Sequence, residues 1–292
     1  MTQGGLLLVD KPAGFTSHDV VAKLRGILKT RRIGHAGTLD PMATGLLIIG
    51  VNAGTKLLTF LVGEDKTYLA TIRLGQSTNT DDAEGELVGD SADASHIAFD
   101  NIHDEISKLS GQIMQIPSSV SAIKVDGKRA YALVRGGVEV KLQPRPVTVS
   151  RFEVAGEPRI QPNGTMDLDV VIECSSGTYV RALARDLGLA LGVGGHLTAL
   201  RRTRVGGYAV EDAVKLDDAS PTALTPLNEA AAAAFKVRQL NPQEVQDIRH
   251  GKRLTAVGLA GAHAGFDETG EIVAMLEEVS GQTRSSVVFA DV

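Results

Sequence analysis

Two short apolar runs, Leu6-Leu7-Leu8-Val9 and Leu46-Leu47-Ile48-Ile49, stand on either side of the segment that most constrains this chain. Just before the second run lies Gly34-His35-Ala36-Gly37-Thr38-Leu39-Asp40-Pro41-Met42-Ala43-Thr44-Gly45, with three glycines, one proline and a single carboxylate. Runs of four bulky aliphatic residues bounded by turn residues are the pattern of strands buried on both faces. Glycine admits backbone conformations closed to other residues and lets another group approach the main chain. Proline fixes the turn directly after the acid and removes one backbone donor. The segment is therefore expected to be a rigid loop that holds Asp40 at a strand end. Taken by itself, the same pattern also fits a tight surface turn with Asp40 as an ordinary turn residue.

The order of elements follows from periodicity. Leu6–Asp10 reads as a strand turned over by Lys11-Pro12-Ala13-Gly14. Thr16-Ser17-His18-Asp19 offers N-cap side chains to a helix through about Leu28, with Val20, Val21, Leu24, Ile27 and Leu28 at helical spacing. Gly45–Val51 is a buried strand or short helix. Residues 65–75 alternate as a half-buried strand carrying Tyr68, and 76–85 form a polar loop. The three acids of that loop, Asp81, Asp82 and Glu84, lack the spacing of a calcium loop and are expected to be solvated. Val147–Ala155 and Met166–Cys174 alternate as strands around a turn at 158–164, and 175–188 turns into a helix ending in glycine. From about Pro221 the composition shifts to an alanine-rich helix, Ala230–Ala234, and then to short strands and turns.

Charge places weak limits on a partner. The net charge is −5. Residues 216–292 hold six Lys/Arg against eleven Asp/Glu, whereas residues 1–215 hold 24 of each sign. Within the neutral portion the basic residues gather at Arg31-Arg32, Lys124/Lys128/Arg129/Arg135, Lys141/Arg145 and Arg201-Arg202/Arg204. Local positive patches rather than the sum govern phosphate contact, although such clusters are also ordinary solvated faces. One cysteine excludes an intramolecular disulfide and a Cys-rich zinc site. No apolar run is long enough to span a bilayer, and the N-terminus lacks the basic start of a signal peptide, so a cytoplasmic protein is expected. His35 is a general base, a metal ligand or a stacking group, with no second ligand near it at metal spacing.

The motif GHAGTLDPMATGLL resembles the nucleophile motif of the bacterial tRNA pseudouridine-55 synthases of the TruB type. The likeness extends over roughly residues 5–210. DKPAGFTSHDVV resembles the family's opening motif, and the strand with Tyr68 its tyrosine motif. The QIPSSVSAIKVDGKRAY region is similar to a QxPPxxSAxKxxGxxxY pattern, with Ser118 where a second proline is common. GTYVRALARDLG resembles the third motif, and LRR at 200–202 a segment that closes over the site.

The resemblance implies an α+β pseudouridine synthase fold with a mixed, largely antiparallel sheet and a small C-terminal PUA-like β-barrel. It implies a catalytic domain over 1–220, a basic RNA-gripping arm at about 118–146, and a linker with a C-terminal domain over 221–292. It assigns catalysis to Asp40, Tyr68 and Arg181, with Arg181 paired to the catalytic acid and Lys11 supporting. Substrate contacts fall to His35, Tyr179 and Leu200, His35 filling the space left by a flipped nucleotide. The expected substrate is the T-arm stem-loop of tRNA, isomerised at uridine 55 by a monomer with no cofactor, no metal and no membrane. A tRNA-binding folding helper, a guide-RNA-dependent synthase and an N-glycoside hydrolase are the rival readings. The motif holds no second carboxylate, which suits an intramolecular rearrangement better than hydrolysis.

Overall fold

The computed structural model describes residues 4–118, 124–125, 128–129 and 142–289. They divide into two compact units, one drawn from Met1–Glu64 and Arg204–Val292, the other from Asp65–Thr203.

In the first unit, β1 (Gly5–Lys11) runs antiparallel to β3 (Thr44–Val51), from Gly5 opposite Val51 to Lys11 opposite Gly45. Between them in sequence come α1 (Ser17–Leu28) and β2 (Ile33–Ala36), and β2 is also antiparallel to β3. The apolar runs are continuous because both faces of these strands are covered. Leu7, Val9, Leu47 and Ile49 pack with Val20, Val21, Leu24 and Leu28 of α1. Leu6, Leu46 and Ile48 point the other way, into a core shared with Leu227, Phe266, Ile272, Met275 and Phe289. This is the two-residue period of a strand applied twice. Full burial of each such side chain contributes about 1.5–3 kcal/mol.

The α1 start is built as its sequence suggests, with one refinement. Thr16 is the N-cap in extended geometry, accepting from the Asp19 N–H while the Asp19 carboxylate accepts from the Thr16 N–H. Ser17 takes no part in that cap. Toward the C-terminus the first unit carries a helix at Leu227–Ala234 and a five-stranded sheet. Its strands are Lys236–Gln239, His263–Phe266, Ile272–Val279, Gln282–Val288 and Leu254–Thr255, in that spatial order. The first two are parallel and the remaining pairs antiparallel. A helix at Pro242–Arg249, capped by Asn241, interrupts the short strands and turns expected there.

The second unit is a sheet in the order β8 (Gly195–Val205), β4 (Lys66–Leu74), β7 (Met166–Cys174), β6 (Arg145–Val154), β5 (Gly111–Gln115). The β4–β7, β7–β6 and β6–β5 pairs are antiparallel. The same unit carries helices α2 (Phe99–Lys108) and α3 (Val180–Ala190). The α3 helix runs past Gly188, where the sequence suggested its end. At that point the Gly194–Gly195 backbone approaches so closely that a Cβ on Gly188 would lie 2.2 Å from it. The architecture is thus α+β with a largely antiparallel set of strands, as expected. The expected arm at about 118–146 falls for the most part outside the described residues. Among the described residues no helix is long and apolar enough to cross a membrane.

Candidate active site

The candidate site residues belong to both units: Asp40 and His35 to the first, Tyr68, Tyr179, Arg181 and Leu200 to the second. Each set is built up from its own unit.

Asp40 lies half-buried in the connection from β2 to β3. Gly37 in this connection and Gly45 at the start of β3, at φ 75° and 96°, adopt a left-handed backbone open to glycine. The neighbours of Asp40 are tied down on both sides. Before it, the Leu39 N–H donates to Ser17 Oγ at 2.9 Å, and Ser17 Oγ lies 3.3 Å from the Leu39 carbonyl. After it, the Pro41 carbonyl accepts from the Gly14 N–H at 2.9 Å and from Lys11 Nζ at 3.2 Å. Lys11, fully buried, also donates to the Phe15 and Pro12 carbonyls at 2.6 and 2.9 Å. An Ala43 N–H to Asp40 carbonyl bond of 3.1 Å closes the turn. An ammonium buried among carbonyls is a structural clasp, in keeping with a supporting role for Lys11.

His35 is found on β2, opposite Ile49, rather than in the loop itself. Pairing with β3 runs from Ile33 to Ala36, up to the glycine at 37, so the strand extends further toward Asp40 than glycine content suggested. The His35 ring meets His18 edge-on, with centroids 5.5 Å apart and planes at 82°. Among the described residues no three His, Cys, Asp or Glu side chains gather as a metal-holding group.

In the second unit Tyr68 is buried on β4, opposite Ile172 of β7. Leu200 is buried on β8. Tyr179 is the residue before α3, and the Gln115 side chain grips its main chain at two points. The Tyr179 N–H donates to Gln115 Oε1 at 2.8 Å, and Gln115 Nε2 donates to the Tyr179 carbonyl at 3.1 Å. Arg181 is buried in the first turn of α3, donating to the Thr80 carbonyl at 2.9 Å, with its Nη1 3.2 Å from Asp82 Oδ2. Asp82 is 3% exposed and also accepts from the Thr80 hydroxyl and the Glu84 N–H.

One turn later on α3, Arg185 meets Asp81 at 3.2 Å and Asp186 at 2.8 Å, and donates to the Ile116 carbonyl at 2.7 Å. Burial pushes the Asp186 carboxyl above its ordinary value, against the pull of Arg185. The polar loop at 76–85 is therefore not a solvated excursion, since Asp81 and Asp82 are both buried. Their arginine partners stand about a hundred residues away, out of reach of any local pattern. The one sequence signal is on the helix, where Arg181 and Arg185 share a face of a mostly apolar stretch. Two guanidiniums drawn inward need carboxylates. The other side chains that spacing did not single out are Ser17 and Gln115, each of which holds the backbone of a candidate residue or its neighbour.

Known proteins resemble this chain along nearly its whole length. A TruB family pseudouridylate synthase N-terminal domain model matches residues 25–180. A tRNA pseudouridylate synthase B C-terminal domain model matches 181–237, and a tRNA pseudouridine synthase II C-terminal model 235–290. The tRNA pseudouridine synthase B of Rhodococcus jostii (strain RHA1) is 56% identical over 287 residues, covering 97% of this chain and 93% of its own. That of Thermobifida fusca (strain YX) is 53% identical over 289 residues, covering 98% of each. Among solved structures, a chain from an H/ACA RNP bound to a substrate RNA containing 2'-deoxyuridine has a TM-score of 0.73 at 23% identity. That match covers 99% of this chain and 86% of the other, a likeness that bears on the fold and confirms the expected pseudouridine synthase architecture. With more than half of its residues shared with such relatives along nearly their whole length, the chain belongs to the TruB family and is a tRNA pseudouridine synthase, an isomerase.

Proposed function

We propose that the enzyme isomerises uridine 55 of the tRNA T-loop, with Asp40 as the essential acid and no cofactor. The observation that carries this reading is the fixing of both neighbours of Asp40 by the buried side chains of Ser17 and Lys11. A carboxylate that must meet one sugar carbon needs such a fixed backbone, because misplacement of a reacting group is costly.

The reaction breaks the N1–C1′ bond, turns the detached uracil, and forms a C5–C1′ bond. The C5 proton is lost and N1 gains one, so the product is an isomer. Asp40 acts either as nucleophile at C1′ or as base at C2′. Both roles need it ionised, and the reading gives Arg181 the task of keeping it so. Tyr68 offers a face to the uracil, Tyr179 and Leu200 contact the substrate, and His35 fills the gap that the flipped nucleotide leaves. The T-arm is recognised through its shape, phosphates and a few exposed bases. In the same reading a single chain acts alone in the cytoplasm, residues 1–220 carry the chemistry, and 221–292 form a PUA-like domain.

The test is conversion of uridine in an unmodified T-arm stem-loop in EDTA, beside Asp40→Asn, with RNA binding measured for both. Pseudouridine at position 55 from the wild type and none from a variant that still binds is the expected result. Conversion at another uridine removes the positional assignment. Tight binding without conversion by the wild type favours the folding helper, and free uracil the hydrolase.

A further inference from the structure

We propose that Ser17 is a positioning residue for Asp40, setting the orientation of the peptide that leads into the acid. The proposal rests on the reading of Asp40 as the essential acid. Thr16 and Ser17 are both suited to capping α1, and the structure divides their work. Thr16 makes the whole capping box with Asp19. Ser17, the first helical residue, is 1% exposed, and its hydroxyl turns toward a residue 22 positions away.

That residue is Leu39, held at both its N–H and its carbonyl. The Leu39 carbonyl belongs to the peptide whose nitrogen is that of Asp40, so the grip acts on the plane from which the Asp40 Cα departs. On the far side, Pro41 has its φ set by its ring, and its carbonyl is held by Gly14 and Lys11. Asp40 thus stands between two anchored peptides.

Neither helix formation nor packing asks for a hydroxyl at position 17. Alanine is the better helix former, and a buried hydroxyl is costly unless bonded. Lys11 is different in kind, because it binds three carbonyls and organises the whole turn after β1. Ser17 serves Leu39 alone among the bonds the structure gives it.

The experiment compares Ser17→Ala, Thr16→Ala and Asp40→Asn in the full chain, by single-turnover conversion of the T-arm stem-loop at saturating enzyme, RNA affinity and Tm. Ser17→Ala should slow conversion about 10- to 100-fold, the scale of a misplaced reacting group, while RNA affinity stays at the wild-type level. Thr16→Ala should lower Tm and leave the rate at saturation unchanged. A wild-type rate in Ser17→Ala, with Asp40→Asn inactive, overturns the proposal and leaves the Asp40 reading standing. Rate losses that follow Tm in both helix variants, or a Ser17→Ala chain that does not fold, overturn it in favour of a structural role. An active Asp40→Asn removes the reading on which the proposal rests.

Discussion

Arg181 is buried against Asp82, with Nη1 3.2 Å from Oδ2 and both side chains less than a tenth exposed. The loop that carries Asp82 is held to α3 a second time, through Asp81 and Arg185. Two consecutive aspartates therefore meet two arginines one helical turn apart, and the candidate arginine has an aspartate partner within its own unit.

Breaking a buried pair by removing one member is costly because the other charge stays buried. Asp82→Ala is expected to lower stability by about 3–5 kcal/mol, read from the urea midpoint, and to lower the conversion rate as Arg181 loses its placement. Asp82→Asn keeps acceptor capacity and should lose less stability.

Gln115 uses both ends of its amide on the Tyr179 main chain. Removing it leaves two partly buried backbone groups without those bonds, at about 1–3 kcal/mol each. Gln115→Ala should lower Tm and raise KM for the T-arm. Gln115→Glu keeps the acceptor and loses the donor, so its effect should fall between wild type and alanine.

A methyl group at position 188 would meet the carbon of Gly194 and the nitrogen of Gly195, both at 2.2 Å. These are backbone atoms and cannot turn aside. Gly188→Ala is expected to destabilise by at least about 1–3 kcal/mol, the usual cost of overpacking, although alanine is the better helix former. A Tm equal to or above the wild type would contradict the close approach.

The Thr16 hydroxyl and N–H hold the Asp19 carboxyl below its ordinary value of 3.8. A depressed folded-state value means stability present above the unfolded pKa and lost as pH falls through the folded one. The Tm deficit of Asp19→Ala should therefore be full at neutral pH and shrink as the pH drops below 3.8. A deficit independent of pH would show that the box does not depend on the charge.

Cys174, the single cysteine, is buried on β7, and burial pushes its thiol up to about 11. The thiolate is the reactive form. Iodoacetamide should leave the folded protein unmodified at neutral pH and label it at one site once urea unfolds it. Rapid labelling of the folded form would mean that β7 opens readily.

Much of the fold was legible locally. The two aliphatic runs became β1 and β3, Thr16 became the cap of α1, and alternation placed β4, β6 and β7 within a residue or two. The helix at Pro242–Arg249 was missed although Asn241, Pro242 and Glu244 carry a capping signal. Its few apolar residues left no long helical stripe to notice among strands. His35 was expected in a loop because glycines flank it, yet cross-strand pairing with Ile49 holds it in β2.

What the sequence determined alone were features set within a few residues: the buried strands, the capping box and the glycine-proline connection that carries Asp40. The family motifs added the candidate acid, base-stacking tyrosine and arginine. Only tertiary structure decided what holds them, because the partners lie far along the chain. Ser17 reaches Leu39 over 22 residues, Gln115 reaches Tyr179 over 64, and Arg181 reaches Thr80 over 101. A hydroxyl, an amide or a carboxylate in a polar stretch is chemically suited to solvent and to burial alike. Which it finds depends on the backbone group or charge that packing brings beside it, and no local pattern encodes that.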